Sequence, residues 1–404
     1  MKPASVQSCI SCKAVYSAEE VLYTCRECGS LLEVRLTGLG ELRGRELGSV
    51  WRSRGRGMWS FREVLPVGDR IVSLDEGGTP LYVAEKAARW AGVKEVLVKF
   101  EGLNPTGSFK DRGMSVGVSK ALELGKRVVV CASTGNTASS MAAYAAAAGL
   151  RPAVVIPKYG VASGKVFQTI LHGAQLIQVS EGFDKALSSV LSTTVGSDAY
   201  ILNSVNPWRI EGQKTLAYEL WKDVKHDSYL VSIPVGNCGN ISALWKGLKE
   251  LEQLGLVESL PRLVAVQAEG ASPFVDMVRR GDEVLIPFEK PSTIASAIRI
   301  GRPVNWRKAL KAVRESEGLG VKVSDQLILE AQRVLASQEG IGVEPASAAS
   351  LAGVKKAVEE GLVDRSSRVV CIATGHALKD PNPEIAAKYL GAELSSLDEI
   401  LKSV

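Results

Sequence analysis

From about residue 70 onward, the chain alternates short runs of β-branched apolar residues with stretches of helical periodicity. Strands that consist of continuous Val, Ile and Leu runs are buried on both faces, which is typical of parallel sheets with helices packed on each side. The runs that we predict as strands are 96–100, 127–132, 153–157, 176–179, 229–234, 263–267 and 368–373. The alternation therefore predicts an α/β fold, in which ligands bind beyond the carboxyl ends of the strands.

The composition is that of a globular protein with more than one domain. The 404 residues are 46% apolar and 23% charged, which is ample material for two or three cores. The sequence contains no run of about 18 apolar residues, so no membrane span is predicted. The amino terminus also lacks a charged-then-apolar signal pattern. We therefore expect a cytoplasmic protein with no membrane partner.

Charge and rare residues exclude several classes of function. The net charge of +5 is small for this length, so it does not predict a nucleic-acid partner. Only three histidines occur, His172, His226 and His376, which disfavours serine–histidine hydrolysis and histidine-based metal catalysis. Asparagine is scarce at eight residues. Depletion of thermolabile amides is common in thermophiles, so we expect a thermophilic origin and functional roles for the asparagines that remain.

Four of the seven cysteines lie within the first thirty residues, as two C-x-x-C pairs. Cys9 and Cys12 are separated from Cys25 and Cys28 by twelve residues, which is the spacing of a zinc ribbon. Four thiolates leave no open coordination position, so such a site would be structural. Two disulfides, which intracellular proteins of hyperthermophiles tolerate, and an empty, reduced cluster are the alternatives.

Polar or glycine-rich loops follow four of the predicted strands. They occupy residues 104–113, 133–137, 236–240 and 374–380. Because the carboxyl ends of parallel strands meet at one edge of a sheet, these loops are expected to converge on one cleft.

Lys110 lies in the first of these loops, at the start of a helix predicted to reach Leu124. The N–H groups of a first helical turn disfavour a cation by about 0.3–1 kcal/mol. Ser108 and Asp111 match an S-x-x-D cap there. A lysine in this field loses basicity, and an amine with a pKa near neutrality forms Schiff bases with carbonyl compounds. We therefore interpret Lys110 as a nucleophilic amine, against the alternative of a solvated surface lysine.

Three further segments predict ligand contacts. Two glycines in the loop 236–240 allow close approach of an anion to the helix that follows, so this loop predicts a phosphate cup. It lacks the lysine of a Walker A loop and does not match G-x-G-x-x-G, which disfavours a nucleoside triphosphate or a dinucleotide. Thr374 brings a neutral hydroxyl to a strand end. The polar segment 203–209 carries Arg209, which suits an anionic substrate group.

Together these segments resemble the pyridoxal-phosphate enzymes of the tryptophan-synthase β type (fold type II), and within them the threonine synthases. The resemblance covers nearly all of the chain after residue 70. Besides the loops above, the segments that carry it are 76–80 (EGGTP), 203–215 (NSVNPWRIEGQKT) and 301–306. Cys238 and Ala377 depart from the family pattern, in which a small residue and a glycine are usual.

The resemblance implies roles for individual residues. Lys110 would carry the cofactor, Asn136 would bond its ring oxygen, and Thr374 would face its pyridine nitrogen. The residues that would hold the cofactor phosphate are Gly236, Asn237, Cys238, Gly239 and Asn240. Those that would contact the substrate are Ser133, Thr134 and Thr137, with Ser204, Arg209 and Asn237 around its phosphate.

The resemblance also implies a fold of two open, mainly parallel, helix-flanked sheets. The expected segments are 1–36 (the zinc-ribbon-like module), 37–117 and 209–404 (the large domain), and 118–208 (a smaller, mobile domain). The cofactor would lie between the two domains, and a homodimer is the family expectation.

The activity that the resemblance implies is that of a lyase in threonine biosynthesis. It would convert O-phospho-L-homoserine and water into L-threonine and phosphate. A sister enzyme that uses O-phosphoserine, of the cysteate or cysteine synthase type, is the nearest alternative, because it too must hold a phosphate. Two alternatives are weaker. One is a dehydratase, whose substrate has no phosphate, and the other is a protein that binds nucleic acid through the four-cysteine segment.

Overall fold

The computed structural model describes residues 3–157, 163–179, 198–224 and 228–381. The strands are β1 (Ala4–Cys9), β2 (Val15–Ser17), β3 (Leu32–Thr37), β4 (Leu81–Val83), β5 (Glu95–Phe100), β6 (Val128–Ala132), β7 (Arg151–Pro157), β8 (Gln175–Val179), β9 (Ala199–Ile201), β10 (Leu230–Pro234), β11 (Arg262–Ala268), β12 (Leu319–Val323) and β13 (Arg368–Ala373). They form three sheets, whose strand orders are β2-β1-β3, β12-β11-β10-β13-β5-β4 and β8-β7-β6-β9.

Helices connect most of the strands of the two larger sheets. The α-helices are α1 (Gly44–Ser53), α2 (Glu85–Ala91), α3 (Lys110–Glu123), α4 (Asn136–Ala148), α5 (Ser163–Leu171), α6 (Trp208–Gln213), α7 (Thr215–Asp223), α8 (Gly239–Gln253), α9 (Pro273–Arg280), α10 (Trp306–Glu315), α11 (Asp325–Arg333) and α12 (Pro345–Glu359). Within the described ranges, none of the helices has the length and apolar character needed to cross a bilayer.

The six-stranded sheet is covered by helices on both faces. Its strands run parallel except β4, which is antiparallel to β5. Val96 and Val98 of β5 belong to the core that includes α2, α11 and α12, whereas Leu97 belongs to the core that includes α7, α8 and α10. Alternate residues thus enter opposite cores, which explains why most residues of the central strands are apolar. The α/β prediction is confirmed.

All seven predicted strands are present, with ends that differ by at most two residues. Two strands of the six-stranded sheet were not predicted. β4 has only three residues, and β12 (LGVKV) contains a glycine and a lysine that interrupt its apolar run. Both lie at edges of the sheet, where burial of both faces is not required.

The four-stranded sheet is parallel throughout and packs against α3 and α4. Its strands fall between residues 128 and 201. The division of the chain at 118 and 208 stays a prediction. Within the predicted domains, residues 158–162, 180–197 and 382–404 lie outside the described residues.

Close packing of α6 on α3 brings two parts of the predicted site together. A Cβ atom on Gly212 would lie 1.8 Å from the carbonyl oxygen of Arg112, so the two backbones meet where a side chain would not fit. A Cβ atom on Gly113 would similarly lie 3.0 Å from the carbonyl oxygen of Arg209. Two glycines therefore permit Arg209 to approach the helix that begins with Lys110.

The start of α3 is fixed by a buried ion-pair cluster. The Arg112 guanidinium donates to both carboxylate oxygens of Glu101 (2.6 and 2.7 Å) and to both of Glu219 (2.6 and 2.8 Å). All three side chains are buried. Removing one partner of such a cluster costs about 3–5 kcal/mol, so the helix end that carries Lys110 is held rigidly.

Candidate active site

The loops predicted to converge do surround one cleft. Its lining includes most of the predicted site residues, namely Lys110, Asn136, Ser204, Arg209, Gly236, Asn237, Cys238, Gly239, Asn240 and Thr374. Ser133, Thr134 and Thr137 are not part of this lining, although they lie on the loop and first turn beside Asn136. Gln213 and Asn305 line the cleft as well and were not predicted as site residues.

Backbone hydrogen bonds join the Lys110 loop to the Thr374 loop. The Phe109 N–H donates to the Thr374 carbonyl (3.0 Å), and the His376 N–H donates to the Gly107 carbonyl (2.9 Å). Gly107 has φ of 87°, a conformation that favours glycine and turns the chain into α3. The two loops thereby hold Lys110 and Thr374 at the same cleft.

Lys110 is the first residue of α3, as predicted. The pKa of its amine is lowered to about 7, first by burial and second by the positive charge of Arg209, while the carboxylate of Glu344 opposes the shift. From the sequence, the loss of basicity is expected from the helix start alone. Burial and a neighbouring cation are the causes in the structure, and they produce a reactive neutral amine near pH 7.

The predicted S-x-x-D cap at the start of α3 is wrong. Phe109 is the N-cap residue, no side chain caps the helix, and the buried hydroxyl of Ser108 has no hydrogen-bond partner. The Asp111 carboxylate instead accepts from the N–H (2.7 Å) and hydroxyl (2.6 Å) of Thr106 and from the Ser140 hydroxyl (2.5 Å). Asp111 therefore ties the loop and α4 to the helix start rather than capping it.

Asn136 begins α4 and contacts a carboxylate that the sequence analysis missed. Its Nδ2 lies 3.1 Å from both oxygens of Glu344, which immediately precedes α12. Glu344 is buried, and burial raises the pKa of its carboxyl group to about 7, while the bond from Asn136 opposes that rise. The only sequence signal was an acidic residue before Pro345, which is common at helix starts.

The loop 236–240 has the geometry of an anion-binding cup. A Cβ atom on Gly236 would lie 3.0 Å from the Ala297 carbonyl oxygen, and Cys238 has φ of 63°. α8 begins at Gly239, so its free N–H groups point out of the helix start toward the cleft. Burial raises the pKa of the Cys238 thiol well above its usual value, so this side chain stays protonated and unreactive.

Buried polar atoms without partners mark this cleft as a site for a polar ligand. Those of its lining are Arg209 Nε, Asn240 Nδ2 and Asn305 Oδ1, and Ser108 Oγ, two residues before Lys110, is a further one in the loop beside it. Buried groups of this kind are costly unless a ligand or water satisfies them. An amine with a lowered pKa, a phosphate cup and these unsatisfied atoms fit a phosphorylated aldehyde such as pyridoxal phosphate.

Thr374 is buried at the end of β13 and belongs to a neutral network. Its Oγ1 lies 3.0 Å from the Ser347 hydroxyl oxygen, which also accepts from the Gly375 N–H (2.7 Å). Ser347 lies in the first turn of α12. A group that faces Thr374 therefore meets a hydroxyl rather than a carboxylate.

Arg209 is a buried guanidinium without an acidic partner among the described residues. Burial lowers its pKa to about 10. Ser204 and Asn305 lie on the neighbouring wall, where Asn305 Nδ2 donates to the Ser204 carbonyl (3.0 Å). An uncompensated buried cation of this kind is suited to bind an anion from the substrate.

The four amino-terminal cysteines converge. Their sulfur atoms all lie within 4.8 Å of one another, with Cys9 Sγ to Cys28 Sγ at 3.4 Å and Cys12 Sγ to Cys25 Sγ at 3.5 Å. All four are free thiols. Ligands at a zinc–sulfur distance of about 2.3 Å in a tetrahedron are separated by roughly 3.8 Å, so this donor set fits a zinc ion.

Comparisons with known proteins show the family of this chain. The family model described as "Pyridoxal-phosphate dependent enzyme" matches residues 72–375. A threonine synthase of Methanocaldococcus jannaschii is 48% identical over 99% of this chain and 100% of its own length. A threonine synthase of Mycobacterium tuberculosis is 48% identical over 80% of this chain and 88% of its own.

Solved structures of lower identity share the fold. A maize serine racemase superposes with a TM-score of 0.64 at 23% identity, over 80% of this chain and 93% of its own. A threonine deaminase of Solanum lycopersicum gives 0.64 at 22% identity, over 77% of this chain and 81% of its own. The site geometry, the family model and the relatives at 48% identity lead to one assignment. This chain belongs to the threonine synthase family of pyridoxal-phosphate dependent enzymes.

Proposed function

We propose that this protein is a pyridoxal-phosphate-dependent carbon–oxygen lyase that converts O-phospho-L-homoserine and water into L-threonine and phosphate. The observation that carries the proposal is the buried Arg209, which has no acidic partner in the described part of the chain and lies in the same cleft as Lys110 and the cup 236–240. Two anion sites in one cleft suit a phosphorylated cofactor and a phosphorylated substrate. The relatives named threonine synthase support the same reaction.

The cofactor would be held by the residues that surround the cup. Lys110 would attach it, the backbone of 236–240 with Asn240 would hold its phosphate, Asn136 would bond its ring oxygen, and Thr374 would face its ring nitrogen. Pyridoxal phosphate, when bound, supplies an electron sink that stabilises negative charge on carbon atoms of an amino-acid substrate. Thr374 would offer the ring nitrogen a neutral hydroxyl, which cannot hold that nitrogen in its protonated form as a carboxylate would, so the stabilisation would be tempered.

Lys110 would move the protons of the reaction. A pKa of about 7 leaves a large neutral fraction of this amine near pH 7, so it can accept a proton from Cα and then one from Cβ. Protons would return to Cγ, which becomes the methyl group, and to Cα before threonine is released. Glu344 contacts Asn136 and has a pKa of about 7, which makes it sensitive to charge changes in the cleft. Its carboxyl group would hold Asn136 in place.

Arg209 would bind the substrate phosphate together with Ser204 and Asn237. A guanidinium without an internal carboxylate can give its full charge to a phosphate, and this interaction would support departure of the phosphate from Cγ. Water then adds at Cβ. Ser133, Thr134 and Thr137, beside the start of α4, would contact the amino-acid part of the substrate.

The assembly and the amino-terminal module complete the proposal. We infer a structural zinc ion on Cys9, Cys12, Cys25 and Cys28, a homodimer, a cytoplasmic location and a thermophilic origin. We also propose that residues 118–208 move as a smaller domain over the cleft. Convergence of four free thiols supports the zinc site.

A substrate panel tests the reaction. O-phospho-L-homoserine and O-phospho-L-serine are each supplied with water or with sulfite, and phosphate release is measured together with the amino-acid product. We expect threonine from phosphohomoserine with water and little turnover of phosphoserine. Preferred turnover of phosphoserine would support the cysteate or cysteine synthase alternative instead.

A further inference from the structure

The four-cysteine module contacts both sheets that border the cleft. On one side, Lys308 of α10 donates to the Leu32 carbonyl of β3 (2.7 Å), and Lys246 of α8 donates to the Val34 carbonyl. On the other side, Tyr23 and Leu31 pack against a small apolar cluster of the four-stranded sheet. The module is therefore anchored to helices of the large sheet while it touches the smaller one.

Tyr23 covers part of the unpaired edge of that smaller sheet. β9 is an edge strand, and the buried N–H of Ile201 donates to the Tyr23 hydroxyl oxygen (2.7 Å). The rings of Tyr23 and Tyr200 also lie 6.0 Å apart. A buried edge N–H has no strand partner and needs another acceptor, which Tyr23 supplies.

A short series of hydrogen bonds leads from Tyr23 to the substrate end of the cleft. The Ile201 carbonyl accepts from Asn206 Nδ2 (2.7 Å), and Asn206 Oδ1 accepts from the Trp208 N–H (2.9 Å). Trp208 begins α6, and the next residue is Arg209. Ile201 is thus bonded to Tyr23 through its N–H and, through its carbonyl and Asn206, to the helix that carries Arg209.

A second contact reaches the same end of the cleft. The cluster against which Tyr23 and Leu31 pack includes Val205, and Val304 packs there too. These valines are sequence neighbours of Ser204 and Asn305, which are hydrogen-bonded to each other at the wall of the cleft. Apolar packing and hydrogen bonding therefore connect the module to the same residues.

We propose that Tyr23 is a positioning residue, through which the cysteine module sets the geometry of the substrate-phosphate site formed by Ser204 and Arg209. This inference rests on the proposed function, because that function assigns the phosphate to these residues. Tyr23 lies two residues before Cys25, so a closed four-cysteine cluster fixes the tyrosine in the chain. Among the described residues, the contacts of Tyr23 are with Ile201, Tyr200 and apolar side chains of the smaller sheet rather than with the cup 236–240 or Lys110, so cofactor binding should be independent of it.

Tyr23→Phe removes only the hydroxyl that accepts from Ile201. If the net free energy of this one hydrogen bond is lost from the substrate-phosphate site, KM for O-phospho-L-homoserine should rise about fivefold. The inhibition constant of inorganic phosphate should rise by about the same factor. kcat and the visible absorbance of the bound cofactor should not change. Tyr16→Phe is the matched control, because its hydroxyl contacts Cys25 Sγ and the Arg26 N–H, both inside the module (3.1 Å each).

The control variant should have the KM and the phosphate inhibition constant of the parent enzyme. Unchanged constants in Tyr23→Phe, or an equal rise in Tyr16→Phe, would overturn the inference. If Tyr23→Phe does not fold, Leu31→Ala removes the apolar part of the same contact, and an unchanged KM in that variant overturns the inference as well. Phosphate binding is also followed by titrating the cofactor absorbance, so the test stands even if phosphohomoserine proves not to be the substrate.

Discussion

Replacement of Arg209 by Met should make the substrate-free holoenzyme more stable while making the enzyme much slower. The pKa of this guanidinium is lowered to about 10 by burial. Each pKa unit corresponds to 1.36 kcal/mol, so the charged group destabilises the folded protein by up to about 3 kcal/mol. This destabilisation is fully present below pH 10, which includes neutral pH, and is lost only as the pH rises through 10 and above.

The loss of activity follows from the same side chain. Truncating one partner of a buried charge pair costs about 2–5 kcal/mol, so kcat/KM for phosphohomoserine should fall by a factor of roughly 30 to several thousand. The free energy of unfolding of the substrate-free holoenzyme is measured in urea, and kcat/KM from phosphate release. Arg209→Lys keeps a charge but loses the planar fork, and it should recover only part of the activity.

Two separate results would contradict these roles of Arg209. If Arg209→Met were clearly less stable than the parent, the guanidinium would have a partner that the described residues do not reveal. If kcat/KM were unchanged, Arg209 would not bind the substrate phosphate.

Three further outcomes are expected. The rate at which cofactor-free protein takes up pyridoxal phosphate should rise with pH around a midpoint near 7, because the pKa of Lys110 is about 7 and only the neutral amine attacks. A rate that does not change with pH would contradict this, as would a Lys110→Ala variant that still forms a stable, visibly absorbing adduct with the cofactor. Glu344→Gln should move that midpoint to lower pH, because the Glu344 charge raises the pKa of Lys110; a shift to higher pH would oppose the assignment. Purified, metal-replete protein should contain about one zinc per chain, and Cys28→Ser should lower that content; absence of zinc in both would remove the metal site.

The cleft was predictable because it depends on local patterns. Continuous apolar runs identified the strands, and each loop that follows one of them carries residues of a distinct chemical type. Lys110 at the start of a helix and the glycines at 236 and 239 are local signals, and the structure has them at one cleft. The order of the strands, which brings β13 between β10 and β5, has no such signal.

Residues whose importance comes from distant contacts were missed. Glu344 is 208 residues from Asn136 in the chain, and Tyr23 is 178 residues from Ile201. An acidic residue before a proline and a tyrosine between two cysteines are ordinary patterns. The failed cap at Ser108 has a similar cause, since Thr106 and Ser140 compete for the Asp111 carboxylate.

The most direct test of the central claim is the fate of the oxygen of water. The enzyme is given O-phospho-L-homoserine in water labelled with oxygen-18, and both products are examined by mass spectrometry. Addition of water at Cβ with cleavage of the carbon–oxygen bond predicts label in the threonine hydroxyl and none in phosphate. Unlabelled homoserine together with labelled phosphate would show cleavage of the phosphorus–oxygen bond and would contradict the proposed reaction.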